Sequence, residues 1–251
     1  MLKFAVALAF VVIVLTACAT TTPATLPATT DSAAPPSANG ELMNVTKERV
    51  TLTTTDDVTI VGTYTDGSSS KAVILLHQLN HDKSSWNLFS EVLNARGYAV
   101  LAIDLRGHGE SQGSWQSFTD KGFQAMTKDV DAAAAFLNQR GQPVVAVLGA
   151  SIGANTALRY ASDHKTLVVL FSPGLSYHGI DVNNVTTPAP VLTIVADGDS
   201  YSLDSSREID ANNLFGKHEL LVVPGRAHGT YLLDDENVRA KILKFLDENA
   251  R

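Results

Sequence analysis

Val144-Val145-Ala146-Val147-Leu148-Gly149-Ala150-Ser151-Ile152-Gly153-Ala154-Asn155-Thr156-Ala157-Leu158 changes character at its middle. The unbroken apolar run 144–148 reads as a short strand covered on both faces, and residues 154–161 read as a helix. Between them lies Gly149-x-Ser151-x-Gly153, the strand, tight turn and helix context that a G-x-S-x-G serine needs. Strand and helix crowd such a turn, so neither flank leaves room for a Cβ. Ser151 then projects its hydroxyl over the sheet edge with a helix N-terminus behind it.

Working outward, the apolar runs 72–76, 99–103 and 167–171 repeat the pattern of 144–148, and 191–196 and 219–223 continue it. Helical segments fall between them. Residues 84–95 stop at Arg96-Gly97, residues 123–139 stop at Arg140-Gly141, and residues 235–249 begin with acids and carry Lys241 and Lys244 later, matching the helix dipole. Continuous apolar strands alternating with helices predict a mostly parallel sheet of about eight strands with helices on both faces. Ahead of them, residues 45–55 and 58–64 are rich in Thr and Val and flank Asp56-Asp57, which predicts an antiparallel pair. In such sheets ligands sit at the carboxyl ends of the strands, where the polar clusters of this chain fall.

A serine hydroxyl attacks only if a base takes its proton, and the base needs an acid to hold its tautomer and orientation. The chain offers both in the order Ser, acid, His. Asp197-Gly198-Asp199 follows the run 191–196, and Pro224-Gly225-Arg226-Ala227-His228-Gly229 follows 219–223. Either aspartate has the chemistry; His228 lies in a strand-end loop just before the last helix.

With these residues in place the chain resembles the α/β-hydrolase superfamily over residues 45–251. Asp104-Leu105-Arg106-Gly107-His108-Gly109-Glu110-Ser111 is similar to the D-x-R-G-H-G-x-S segment of many members, and 224–229 to the P-G-x-x-H-x segment around their histidine. The resemblance implies an α/β-hydrolase fold and a triad of Ser151, His228 and Asp199, with Asp197 the other choice for the acid. It also implies an oxyanion hole, whose first amide is that of Ile152. The second belongs to the loop 77–81, which reads His-Gln-Leu-Asn-His where the family usually has His-Gly; Leu79 is the first choice and Gln78 the second. Members with buried lipid sites often insert a helical cap between the strands at 167–171 and 191–196. The short segment 172–190 leaves no room for one, which implies an open site, with Tyr177, His178 and Tyr201 at its rim.

His77 and His81 are spaced as in H-E-x-x-H zinc proteases, but Gln78 replaces the glutamate and His77 ends a strand, so that motif is not met. A metal cluster of His77, His81, Asp82, Asp104 and His108 is the weaker reading beside hydrogen-bonded loop structure; no metal or organic cofactor is expected. His77 is expected to brace the oxyanion loop, Arg106 and His108 to fasten the loop after Asp104, and Trp86 and Trp115 to pack in core or loops.

The remaining signals lie at the N-terminus. Lys3, the apolar run 4–15 and Thr16-Ala17 read as a signal peptide. As a helix that run reaches only about 18 Å against a hydrocarbon core of roughly 30 Å. Leu15-Thr16-Ala17-Cys18 resembles the lipobox of bacterial lipoproteins, which implies a lipid on Cys18. Residues 19–40, nearly all Thr, Ala, Pro and Ser, cannot offset the entropy of ordering themselves and read as a tether. The expected organisation is a signal peptide at 1–17, a lipidated tether at 18–40 and a catalytic domain at 41–251, facing the periplasm or exterior of a bacterial envelope. Across all 251 residues, 45% are hydrophobic, which excludes a disordered chain, and the net charge of −7 speaks against nucleic acid as partner. Cys18 is the one cysteine, so neither a disulfide framework nor a multi-cysteine zinc site can form within the chain.

These readings predict an extracytoplasmic serine hydrolase acting through an acyl-enzyme on small or surface-presented carboxylic esters. A peptidase, thioesterase or polysaccharide deacetylase would use the same triad, and a non-catalytic binding lipoprotein would keep the scaffold without the chemistry.

Overall fold

In the computed structural model, which describes residues 46–212 and 214–250, the first strands are β1 (Lys47–Thr53) and β2 (Thr59–Thr65), paired antiparallel from Lys47 opposite Thr65 to Thr53 opposite Thr59. The signal peptide, Cys18 and the tether lie outside the described residues. Asp57 turns the chain between the strands with φ of +60°, and Val58 N–H donates to the Thr54 hydroxyl.

The alternating series follows: β3 (Ala72–Leu76), α1 (Asn87–Ala95), β4 (Ala99–Ile103), α2 (Asp120–Gln124), α3 (Thr127–Gln139), β5 (Val144–Ala150), α4 (Ile152–His164) and β6 (Leu167–Phe171). A two-stranded hairpin, β7 (Ser176–Tyr177) and β8 (Ile180–Asp181), stands where a cap would be inserted. The series closes with β9 (Thr186–Ala196), α5 (Ser200–Asn212), β10 (Leu214–Val223) and α6 (Glu236–Asn249). Eight strands form one sheet in the order β1-β2-β4-β3-β5-β6-β9-β10, and β2 alone runs against its neighbours.

Successive strand residues point to opposite faces, and the two cores show it. Ile74 and Leu76 join Val130, Leu137 and Leu158 under α3 and α4, whereas Val73 and Leu75 join Phe89, Leu93, Ile242 and Phe245 under α1 and α6. Trp86 is fully buried in the second core, edge-on to Phe171 at 5.6 Å. Helices thus cover both faces.

Two differences from the sequence reading have local causes. The helix expected at 123–139 is broken in two, with a turn at Ala125 and Met126 that puts the Met126 side chain wholly inside the first core. The strands expected at 191–196 and 219–223 each start about five residues earlier. There Gly216 passes so close to the Pro188 carbonyl that a Cβ would lie 1.8 Å from its oxygen, and the register slips between Phe215 and Lys217.

Candidate active site

Ser151 is the residue between β5 and α4. Its φ of +52° and ψ of −114° lie outside the regions open to ordinary side chains, a conformation that costs about 1–3 kcal/mol and persists only when surroundings enforce it. The enforcement is visible. A Cβ on Gly149 would lie 2.1 Å from the Gly153 carbonyl oxygen, and one on Gly153 would lie 2.6 Å from that of Leu76, so only glycine lets strand and helix close on the serine. Ser151 N–H donates to Phe171 O at 2.8 Å, which ties the turn to β6.

The loops after β9 and β10 are laced together. Asp197 N–H donates to Val223 O (2.8 Å), Gly198 N–H to Gly225 O (2.8 Å), and Gly225 N–H back to the Asp197 carboxylate (2.9 Å). Asp197 is therefore spent on the loop. Asp199 is the residue that reaches His228: its Oδ2 accepts from His228 Nδ1 at 2.7 Å. A carboxylate only accepts, so the Nδ1 proton is fixed there and Nε2 is left as the free lone pair. The Ser151 hydroxyl is not hydrogen-bonded to His228 in this structure, and such contacts commonly tighten only around substrate.

The loop after β3 completes the arrangement from the other side of Ser151. The amides of Gln78 and Leu79 donate to no group among the described residues, and that of Ile152, at the start of α4, has no intrahelical acceptor. Leu79 and Gln78 thus both keep a free amide where the second oxyanion donor is expected. His77 braces this loop as expected: buried, it donates from Nδ1 to Gln78 O (2.8 Å) and accepts at Nε2 from Leu105 N–H (3.0 Å). Burial pushes its pKa down to about 4, so the ring stays neutral.

Two positioning contacts escaped the sequence reading. The Gln78 side chain crosses to the histidine loop, where its Oε1 accepts from Thr230 N–H (3.1 Å) and the Thr230 hydroxyl (3.0 Å). Ser172, at φ of +49°, accepts from Gly229 N–H at 3.1 Å. Both pin the residues directly after His228. The signal for Gln78 was its presence where glycine is usual; Ser172 carried none.

The remaining polar residues are mostly engaged in structure. The buried Asp104 carboxylate accepts from Lys83 N–H (2.7 Å), Lys83 Nζ (2.7 Å) and Glu110 N–H (2.8 Å). Arg106 donates to buried Asp129 from its backbone N–H (2.9 Å) and Nε (2.8 Å), and its terminal nitrogens reach Asp56 at 2.9 and 3.0 Å. His108 donates to Arg106 O at 3.1 Å and lies parallel to Trp115. Among the described residues no group of three His, Cys, Asp or Glu is placed to hold a metal.

Of the three expected rim residues, Tyr177 and Tyr201 pack edge-on at 5.7 Å with Tyr201 half exposed, and Tyr177 comes within electrostatic reach of Ser151. His178 turns away and stacks on Phe123 at 4.2 Å. Sequence reasoning also missed Tyr231, exposed beside His81, whose Nε2 lies 3.3 Å from the Tyr231 hydroxyl.

A mostly parallel eight-stranded sheet with a strained serine at the β5–α4 turn and a histidine after the last strand defines an α/β-hydrolase. Residues 67–207, more than half of the chain, match the family described as Serine aminopeptidase, S33, and the chain belongs to that family. Among curated relatives, protein phosphatase methylesterase 1 of Bos taurus is 30% identical over 102 residues, 40% of this chain and 26% of that protein. The AB hydrolase superfamily protein YisY of Bacillus subtilis is 30% identical over 102 residues, 40% of this chain and 35% of its own. The match thus spans about a quarter to a third of those relatives' length. Among solved structures, the Pyrococcus furiosus esterase Pf2001 superposes with a TM-score of 0.69 at 22% identity, covering 82% of this chain and 94% of that one. The dienelactone hydrolase of Anabaena variabilis gives 0.67 at 19%, covering 82% and 99%. These structural likenesses bear on the fold.

Proposed function

We propose that the protein is a serine hydrolase of carboxylic esters, anchored through a lipid on Cys18 and facing out of the cytoplasm, with Ser151, His228 and Asp199 as its triad. The observation that carries the reading is the 2.7 Å bond from His228 Nδ1 to Asp199, which leaves Nε2 a base in the loop beside the strained Ser151. Ser151 Oγ attacks the ester carbonyl carbon as its proton passes to His228 Nε2. The carbonyl π pair moves onto oxygen, held by the amides of Ile152 and Leu79, with Gln78 the alternative second donor. Collapse breaks the bond to the alkoxy oxygen, which leaves with the proton from His228. Water then attacks the acyl-enzyme, its proton passes to His228, and the acid departs as Ser151 recovers its hydrogen.

The short β7–β8 hairpin in place of a cap supports an open mouth, suited to small esters or esters presented on a larger molecule. The likeness to a methylesterase that bears the name of a protein phosphatase points the same way. The family's description favours a second reading, removal of aminoacyl groups from amides. A fluorophosphonate probe tests the chemistry: Ser151 should be labelled in the unmodified chain and not in Ser151→Ala. That variant should lose ester turnover by roughly 10⁶-fold, as deleting a triad serine does elsewhere. Retained hydrolysis would refute the triad. A panel of short and long acyl esters, acetylated sugars, thioesters and aminoacyl amides separates the readings, with esters expected to be fastest. Incorporation of a clickable fatty acid, abolished by Cys18→Ala, tests the anchor.

A further inference from the structure

The hydrolase scheme uses the β3 side of Ser151 for the oxyanion amides and leaves the other side to a residue with no role so far. In the sheet β5 stands between β3 and β6. The chain after β6 therefore reaches the nucleophile from the flank opposite the oxyanion loop. It is held there by Asn155, wholly buried one turn along α4, whose Nδ2 donates to Gly174 O and Ile180 O (both 2.9 Å) and whose Oδ1 accepts from Gly174 N–H at 3.1 Å. Residues 177–180 make a tight hairpin with His178 at φ of +47° and Gly179 at +77°, the two-residue turn whose twist matches paired strands.

That scaffold aims Tyr177 at the nucleophile. Its ring packs on Gly174, where a Cβ would lie 2.8 Å from it, and against Tyr201, two residues beyond Asp199. Its hydroxyl comes within electrostatic reach of the side chains of Ser151 and Ser202 without a closed hydrogen bond to either. Burial holds the phenol protonated beyond its ordinary range, so at neutral pH the group is a donor and not a base.

We propose that Tyr177 is a further catalytic residue, donating a hydrogen bond to the alkoxy oxygen of the ester as the tetrahedral adduct on Ser151 collapses. The inference rests on the ester-hydrolase reading above. Once Ser151 Oγ is bonded to the acyl carbon, that carbon carries two other oxygens. The former carbonyl oxygen faces the amides on the β3 flank, and the alkoxy oxygen is left for a donor on the β6 flank. As the C–O bond breaks, the electron pair goes to the alkoxy oxygen and its proton comes from His228; Tyr177 keeps its own proton and stabilises the charge before that transfer is complete.

The test exploits leaving-group chemistry. A poor leaving group develops charge that needs stabilising, whereas p-nitrophenolate delocalises it into the ring. Tyr177→Phe keeps the ring contacts with Gly174 and Tyr201 and removes only the hydroxyl. Its kcat on methyl and ethyl esters should fall on the order of 10- to 100-fold, with p-nitrophenyl esters of the same acyl group within about threefold. The slope of log kcat against leaving-group pKa should steepen accordingly. An equal loss across both series assigns Tyr177 a structural role and overturns the inference, as does no loss in either. Fluorophosphonate labelling separates the two levels: a Tyr177→Phe protein that still labels at Ser151 keeps the hydrolase reading intact whatever the slope shows. Absence of labelling in the unmodified chain overturns that reading and this inference with it.

Discussion

Gln78 holds the loop after β3 to the loop of His228 through one side-chain oxygen. Its Oε1 takes both the amide and the hydroxyl of buried Thr230, two residues past His228. Gln78→Leu leaves those donors dry and unpaired at about 1–3 kcal/mol apiece, so urea unfolding should show a loss of roughly 2–6 kcal/mol. Gln78→Glu keeps the acceptor and should recover much of it. His77 gives a second residue-scale expectation. The folded ring takes a proton only near pH 4, against 6.5 for the free side chain, so between those values the unfolded state binds more protons. The stability linked to His77 is complete above pH 6.5 and is lost as the pH falls toward 4, by about 3 kcal/mol in all. Nitrogen-resolved NMR should find His77 neutral with its proton on Nδ1 at pH 5.5; a charged ring there would refute the assignment.

At the scale of elements, Asn155 is the clamp between α4 and the hairpin. Asn155→Ala should raise amide hydrogen exchange across residues 173–182 and lower stability by about 3 kcal/mol, because three backbone groups of Gly174 and Ile180 lose their partner. Exchange unchanged from the parent would show that the segment is held by packing alone. The elements differ in how plainly the sequence announces them. β3, β4 and β6 coincide with the apolar runs at 72–76, 99–103 and 167–171, since a strand covered on both faces has no reason to include a polar residue. α5 escaped because its buried side is Ser202, Ser205 and Ser206 with Leu203 and Ile209, which gives no apolar stripe to read. The hairpin escaped because two-residue strands are shorter than any periodicity. The candidate residues Ser151, Asp199 and His228 stand out in the sequence because motif and chain order mark them. Ser172 and Asn155 act across 57 and 19 residues of sequence, and only the folded chain shows their partners.

Across the whole molecule, Arg106 joins the loop after β4 to α3 through Asp129 and to the β1–β2 turn through Asp56. Removing one partner of such a buried pair strands the other charge. Arg106→Met should therefore cost about 3–5 kcal/mol, read as a fall in the melting temperature, while Arg106→Lys restores charge without the forked geometry and should recover only part. Replacing Arg106, Asp129 and Asp56 together with apolar residues should be milder than the single change. The network lies toward the β1–β2 side of the sheet, away from the loops that carry Ser151 and His228. Its loss should reach activity through global unfolding, so that residual folded protein keeps its full specific activity.

The turn at His178 and Gly179 does more than hold Tyr177. It is the tip of a hairpin at the site where some members of the fold carry an inserted cap, and His178 stacks on Phe123 of α2. The tip is itself packed: Gly179 O accepts from Gln124 Nε2 at 2.9 Å, and a Cβ on Gly179 would lie 2.7 Å from the Asp120 side chain. The hairpin thereby couples α2 to the strand that carries Tyr177, so that a change at the tip would be felt one residue away, at the tyrosine.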